Sequence, residues 1–153
     1  MKNCLTIAGS DCSGGAGIQA DLKTFSALGC YGMSAISAVV AENTERVIST
    51  MPVTPSVIYD QLEAVFTDIR VDAVKIGMLP DAGSMHAVAA ALMKFDPEIV
   101  VCDPILAATA GTELMQGSAV NTFITTIVPL CTLLTPNIPE AEKLLGCTIK
   151  EYA

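Results

Sequence analysis

The sequence predicts an α/β domain: a mainly parallel sheet with helices on both faces. Three observations carry this prediction. Short apolar runs alternate with stretches whose apolar residues recur at helical spacing. The short runs are continuously apolar, the pattern of strands covered on both faces. Glycine- and carboxylate-bearing clusters follow the ends of those runs, where ligands bind in such sheets. The length, 153 residues, suits one domain, and residues 1–153 are read as a single unit.

The elements follow in order. Leu5, Thr6, Ile7 and Ala8 form a buried strand, and a glycine-rich loop spans 9–17. Ile18, Leu22, Phe25 and Leu28 mark a helix that Gly29 stops. Residues 33–40 read as a second strand, with Glu42, Asn43 and Thr44 at its end. Residues 47–53 read as a further short strand or an extended connection. Pro55 opens a helix whose buried stripe is Val57, Ile58, Leu62, Val65, Phe66 and Ile69. A strand at 73–77 precedes a helix over 81–94 with Met85, Val88, Ala89 and Leu92 inward. The strand at 99–102 ends in Asp103 and Pro104. A loop rich in Ala, Thr and Gly runs to about Gly117, before a helical stripe of Val120, Phe123, Ile124, Ile127 and Val128. A strand at 132–134 leads through Thr135, Pro136 and Asn137 into a short helix carrying Ala141, Leu144 and Leu145, stopped by Gly146.

A chain that is 52% hydrophobic and 16% charged is not a disordered one. A formal net charge of −8 with no basic stripe excludes nucleic acid as a partner. Any phosphate site must therefore be local, built from backbone N–H groups, a few cations or a metal. Cys4, Cys12, Cys30, Cys102, Cys131 and Cys147 form no CxxC pair and no metal-ligand spacing. Four lie in or beside apolar runs and are expected as buried, reduced thiols. With no signal peptide and no apolar run of spanning length, no membrane is expected and the cytoplasm is the default location.

Several residues could carry chemistry. Gly14, Gly15 and Gly17 let the backbone approach a ligand and open a helix whose N-terminus favours anions or acceptor atoms. No Gly-Lys-Ser/Thr follows, and the dinucleotide fingerprint spacing fails. Asp21 near the start of that helix is either a solvated carboxylate or one aimed into the crevice. Glu42, after a strand, has the same two readings. Asp103 at a strand's carboxyl end is placed to hold Mg²⁺, directly or through water. Asn137 and Glu140, three apart at a helix start, are either a capping box or paired oxygens over the helix N-terminus. His86 reads as a surface histidine. Lys75 reads either as a phosphate contact or as support for the sheet.

Taken together these stretches resemble one family. Residues 5–17 (LTIAGSDCSGGAG) and 18–25 (IQADLKTF) resemble the opening of the hydroxymethylpyrimidine/phosphomethylpyrimidine kinases of thiamine biosynthesis. Residues 73–79 (AVKIGML) and 135–141 (TPNIPEA) match further on. The resemblance implies a ribokinase-like fold. It also implies ATP- and Mg²⁺-dependent phosphorylation of the pyrimidine hydroxymethyl group, and then of its monophosphate. By position, Gly9, Asp21, Glu42, Met78 and Ile105 would line the pyrimidine pocket. Asp103, Asn137 and Glu140 would form the nucleotide and phosphate side, with Asp103 and Glu140 toward the metal. Glu42 is a departure, since many members carry Gln there, and pyridoxine-type vitamers are the natural rival substrate. The family often forms homodimers.

The resemblance also implies a C-terminal truncation. In the family a later lysine-containing strand, a Gly-Thr-Gly-Cys-like anion-hole loop and the catalytic base follow, so the base is expected beyond residue 153. Phosphoryl transfer depends on positioning and charge stabilisation, so this polypeptide alone is expected to show no turnover above background. A sheet cut partway leaves a bare edge, from which aggregation or pairing with another chain is expected. The alternatives are a non-catalytic remnant that only binds a ligand or a partner chain, and a nicotinamide-dependent oxidoreductase, which the missing fingerprint disfavours.

Overall fold

The computed structural model describes residues 1–105 and 117–150. The elements in chain order are β1 (Asn3–Ala8), α1 (Gly17–Ala27), β2 (Tyr31–Ile36), β3 (Ala38–Glu42), β4 (Val47–Pro52), α2 (Pro55–Asp68), β5 (Ala73–Ile76), α3 (Ala82–Phe95), β6 (Val100–Cys102), α4 (Gly117–Thr126), β7 (Leu133–Leu134) and α5 (Ile138–Leu145). The main sheet has the order β2-β1-β5-β6-β7, and every pair in it is parallel. This is the predicted fold class. Part of the Ala/Thr/Gly loop, residues 106–116, lies outside the described residues.

Strand alternation explains the layers. On β1, Leu5 and Ile7 point to one face and join a core with Ile58 and Leu62 of α2 and Met85, Val88 and Leu92 of α3. Thr6 points to the other face, where its hydroxyl meets Asp21 of α1. The helices therefore cover both faces. Leu5, Ile7, Ile58, Leu62, Ile76, Met85 and Val88 are all fully buried. Each such side chain contributes about 1.5–3 kcal/mol by leaving water.

The run at 33–40 is not one strand. It breaks at Ser37, so β2 stays in the main sheet while β3 pairs antiparallel with β4 in a separate two-stranded sheet. The reason is polar. Ser37 is fully buried, its N–H donates to Ala8 O, and its hydroxyl donates to Met78 O at 2.6 Å. Those bonds tie the chain to the ends of β1 and β5, and the backbone then leaves the sheet. Residues 47–53 accordingly resolve as a strand rather than a loose connection.

Three stripe positions also differ from expectation. Leu28, Val57 and Leu145 are exposed: Leu28 is the C-cap of α1, while Val57 and Leu145 stand next to Ile58 and Leu144, the residues of their turns that face the core. Of the cysteines only Cys102 is fully buried; Cys4, Cys30 and Cys131 are half-buried, and Cys12 and Cys147 are exposed, all six as free thiols. At Ile36, the last residue of β2, the outer edge of the sheet is capped by a side chain. The Gln61 carboxamide accepts from Ile36 N–H at 2.9 Å and donates to Ile36 O at 3.1 Å, mimicking a neighbouring strand. Among the described residues no helix is long and apolar enough to cross a membrane.

Candidate active site

Parallel pairing brings the carboxyl ends of β1, β5, β6 and β7 to one side of the sheet. Gly9 leaves β1, Gly77 and Met78 leave β5, Asp103 and Ile105 leave β6, and Thr135 to Glu140 leave β7. Backbone bonds hold these tips in line: Gly77 N–H to Ile7 O, Asp103 N–H to Ile76 O, and Thr135 N–H to Cys102 O. The separate hairpin is bonded to the first of them. Ser10 N–H donates to Ala38 O, Val40 N–H donates to Ser10 Oγ, and the Cys12 thiol donates to Glu42 O at 3.0 Å.

The tips approach closely because they carry glycine. A Cβ at Gly9 would stand 2.5 Å from Met78 Cε, and one at Gly77 would stand 3.0 Å from Lys75 Nζ and 3.8 Å from Ile105 Cδ1. Gly17, at φ 55°, opens α1 where a Cβ would collide with Gly9 O and stand 3.2 Å from Asp11 N. No side chain fits there, and an L-residue would also be strained by the positive φ.

Asp21 is not a solvated carboxylate. Its Oδ2 accepts from the buried Thr6 hydroxyl at 2.6 Å and from Lys75 Nζ at 3.1 Å, and its side chain is only 16% exposed. Lys75 thus serves Asp21, an arrangement neither of its two sequence readings described. Lys75 Nζ and Ile105 Cδ1 both border the space over Gly77, and Met78 Cε borders that over Gly9.

The residue missed by sequence reasoning is Asp11. It is 2% exposed and accepts four hydrogen bonds: from Ser13 N–H at 2.7 Å on Oδ1, and from Ser13 Oγ–H at 3.0 Å, Gly15 N–H at 2.9 Å and Ala16 N–H at 2.7 Å on Oδ2. Its own N–H donates to Gln19 Oε1. Burial alone would raise its pKa, but the bonds from Ser13, Ala16 and Gly15 outweigh this and hold the carboxyl below the ordinary carboxylate value. The expectation that the loop offers its N–H groups to a bound anion is therefore corrected at Ser13, Gly15 and Ala16: these donors already serve Asp11. The signal was present in the sequence, since Asp followed by Ser and glycines is an Asx-turn pattern.

Glu42 ends β3, half-buried beside the loop. Burial raises its pKa, and the negative charge of Asp11 raises it further. On the other side of the tips, Asn137 and Glu140 form a complete capping box at the start of α5. Asn137 Oδ1 accepts from Glu140 N–H, and Glu140 Oε2 accepts from Asn137 N–H, both at 2.9 Å. Glu140 Oε1 stays outside the cap. Asp103 is half-buried at the end of β6, with its carbonyl accepting from Ile105 N–H. Among the described residues no group of three or more His, Cys, Asp or Glu gathers to hold a metal ion. His86 is exposed on α3, as a surface histidine should be. Cys102 is pushed far above the ordinary thiol value by its hydrogen bond with Cys131 and by burial, so it stays a neutral thiol.

Residues 11–153 match the family model described as phosphomethylpyrimidine kinase. The hydroxymethylpyrimidine/phosphomethylpyrimidine kinase of Escherichia coli is 50% identical over 143 residues, covering 94% of this chain and 54% of that protein. The crystal structure of phosphomethylpyrimidine kinase from Clostridium difficile superposes with a TM-score of 0.93 at 46% identity, covering 99% of this chain and 65% of that one. The ADP complex of Bacillus subtilis pyridoxal kinase is a more distant likeness, with a TM-score of 0.87 at 36% identity, over 99% of this chain and 56% of that one. The chain thus spans about half the length of the curated kinases it matches, and it belongs to the phosphomethylpyrimidine kinase family.

Proposed function

We propose that this chain serves the ATP-dependent phosphorylation of 4-amino-5-hydroxymethyl-2-methylpyrimidine and of its monophosphate, in thiamine biosynthesis. The observation that supports the reading is the arrangement at the tips of β1 and β5. There the half-buried carboxylate of Asp21 is held by Thr6 and Lys75, and Gly9 and Gly77 let the backbone come close to Met78 and Ile105. A flat heteroaromatic ring with one polar group suits such an arrangement. Asp21 would accept a hydrogen bond from that group, and Glu42 would meet the ring from β3.

The far end of the row of tips would take the nucleotide. Asp103 and Glu140 Oε1 are hard oxygen donors on neighbouring strand ends. Two carboxylates with phosphate oxygens and water fit Mg²⁺, which seldom uses an all-protein cage. When bound, that ion would neutralise charge on the transferred phosphoryl group. Asn137 would keep Glu140 turned toward it through the cap. None of the 153 residues is proposed as the base. A homodimer and a cytoplasmic location belong to the same reading and rest on the family resemblance.

Calorimetry tests it. Hydroxymethylpyrimidine should bind more tightly than pyridoxal, and Asp21→Ala should weaken the pyrimidine at least tenfold. Tighter binding of pyridoxal would favour a vitamin B6 kinase, the reading the likeness to pyridoxal kinase supports. Binding of neither ring would remove the pocket from consideration.

A further inference from the structure

Ser37 is fully buried at the break between β2 and β3, and its polar groups go to three different segments. Its N–H donates to Ala8 O at 2.9 Å, its carbonyl accepts from Val53 N–H at 2.9 Å, and its hydroxyl donates to Met78 O at 2.6 Å. Ala38 O, in the next residue, accepts from Ser10 N–H at 2.9 Å. Ala8 and Ser10 flank Gly9, so this short stretch is bonded to the tip of β1 on both sides of the glycine. The backbone bonds shape the fold, and the hydroxyl does something else. Met78 lies beyond the last ladder pairs of β5, those of Ile76 with Ile7 and with Cys102. The serine, 41 positions away in sequence, takes the place of a strand partner there. The Met78 side chain is half-buried, with its methyl over Gly9. A Cβ on Gly9 would stand 2.5 Å from Met78 Cε and 3.7 Å from Ala38 O and Val40 Cγ2. Met78 and the hairpin thus border the same space, and Ser37 is joined to both.

We propose that Ser37 is a specificity-determining positioning residue: its hydroxyl pins Met78, and Met78 so placed limits which ring fits over Gly9. Ser37 itself touches no ligand, and its role rests on the pyrimidine-pocket reading. A methionine side chain is unbranched and adapts to whatever lies beside it. A wall made of methionine is therefore only as definite as the backbone that carries it. Ser37 is out of water, so no solvent competes for its hydroxyl, and the short bond holds that backbone in one place. Pyridoxal carries one ring substituent more than hydroxymethylpyrimidine, so a released Met78 should admit it more readily. Ser37→Ala removes the hydroxyl and keeps both backbone bonds. It frees Met78 while β2 and the hairpin stay attached.

Affinities for hydroxymethylpyrimidine and pyridoxal are measured by calorimetry in the parent, Ser37→Ala, Ser37→Thr and Val88→Ala, each below its melting range. Val88 is buried in the core on α3, so its truncation destabilises the protein without touching the bond. Ser37→Ala should weaken the pyrimidine about fivefold, the loss of one net hydrogen bond, and should weaken pyridoxal by less than about twofold. Ser37→Thr keeps the hydroxyl and should hold both affinities within about twofold of the parent, as should Val88→Ala. Methyl NMR of methionine-labelled protein follows Met78 with no ligand present, its resonance being assigned by its loss in Met78→Leu. In Ser37→Ala that resonance should sharpen and move toward the shift of the exposed Met1, and in Ser37→Thr it should stay. An unchanged Met78 resonance in Ser37→Ala overturns the inference, as does an equal loss for the two rings or the same loss in Val88→Ala. If Ser37→Ala does not fold, Ser37→Cys, whose S–H is a weak donor, takes its place with the same expected direction. If the parent binds neither ring, the pocket reading falls and the part of Ser37 in recognition falls with it. The Met78 resonance then decides separately whether the serine pins that side chain.

Discussion

Replacing Asp11 should damage the protein in a graded way that its four bonds dictate. Each charge-assisted bond is worth roughly 1 kcal/mol net here, the low end of the range, because Ser13, Gly15 and Ala16 are exposed enough for water to replace the carboxylate. Asp11→Ala loses all four, about 4 kcal/mol, a large share of the ~5–15 kcal/mol of a typical domain. Asp11→Asn can set its carbonyl oxygen where Oδ2 stood and keep three bonds at about half strength. Its NH₂ then faces Ser13 N–H, so the total loss is about 2.5 kcal/mol. At ~3 °C per kcal/mol for a chain of this size, the melting temperature should drop by ~12 °C and ~8 °C respectively. The pH dependence has a definite sign. The folded pKa of Asp11 is depressed, so its stabilisation is present above the unfolded value and is lost as pH falls through the folded one. The gap between parent and Asp11→Asn in thermal or urea melts should therefore narrow in acid, while Asp11→Ala stays lower. Equal melting of Asp11→Ala and Asp11→Asn, or melting of both within about 2 °C of the parent, would refute the bond-by-bond reasoning.

Three further outcomes follow from the same geometry. Gly17→Ala, forced against Gly9 O at positive φ, should cost at least about 2 kcal/mol in urea unfolding, whereas Gly29→Ala, at positive φ but in open space, should cost less. Gln61→Ala should cost about 1–2 kcal/mol by uncapping Ile36, and it should speed hydrogen exchange of the Ile36 amide; unchanged exchange would show that the edge needs no cap. Lys75→Met leaves Asp21 with only the Thr6 hydroxyl to hold its carboxylate, so pyrimidine affinity should fall several-fold in calorimetry; unchanged affinity would show that the lysine does not position Asp21.

The sheet was legible because its strands are short, continuous and apolar, and because each is followed by a visible stop. Gly9, Asp103 and Asn137 were placed at strand ends by the same reasoning, and the structure puts their segments on one side of the sheet. What was hidden depends on contacts between distant residues. The Asp21–Lys75 pair spans 54 positions, and nothing in either local pattern shows that the strand lysine faces the helix carboxylate. The break at Ser37 was hidden for a related reason. A serine within an apolar run reads as a tolerated polar residue, and only its bonds to Ala8 and Met78 show it as the point where the chain leaves the sheet. Asp11 is different, since its Asx pattern is readable: the glycines that suit a ligand also suit a carboxylate within the loop, which uses their N–H groups first.

That internal use of the loop bears on how the proposed site divides its work. With Ser13, Gly15 and Ala16 N–H groups committed to Asp11, the β1 end of the hollow already contains a fixed negative charge and has few donors left for a phosphate. A neutral ring is the ligand least penalised there. In the proposed site, anion handling would fall instead to the β6 and β7 tips, where α5 begins and where Asp103 and Glu140 Oε1 would hold a cation between themselves and a polyphosphate. Neighbouring strands lie about 4.8 Å apart, so the three steps from β1 through β5 and β6 to β7 span roughly 14 Å. That is long enough for a ring at one end and a triphosphate reaching in from the other to meet above β5 and β6. On this reading the strand order does more than expose a row of tips: it sets the ring and the nucleotide far enough apart that the charge locking the first site does not repel the second, and near enough that their reacting oxygens can touch.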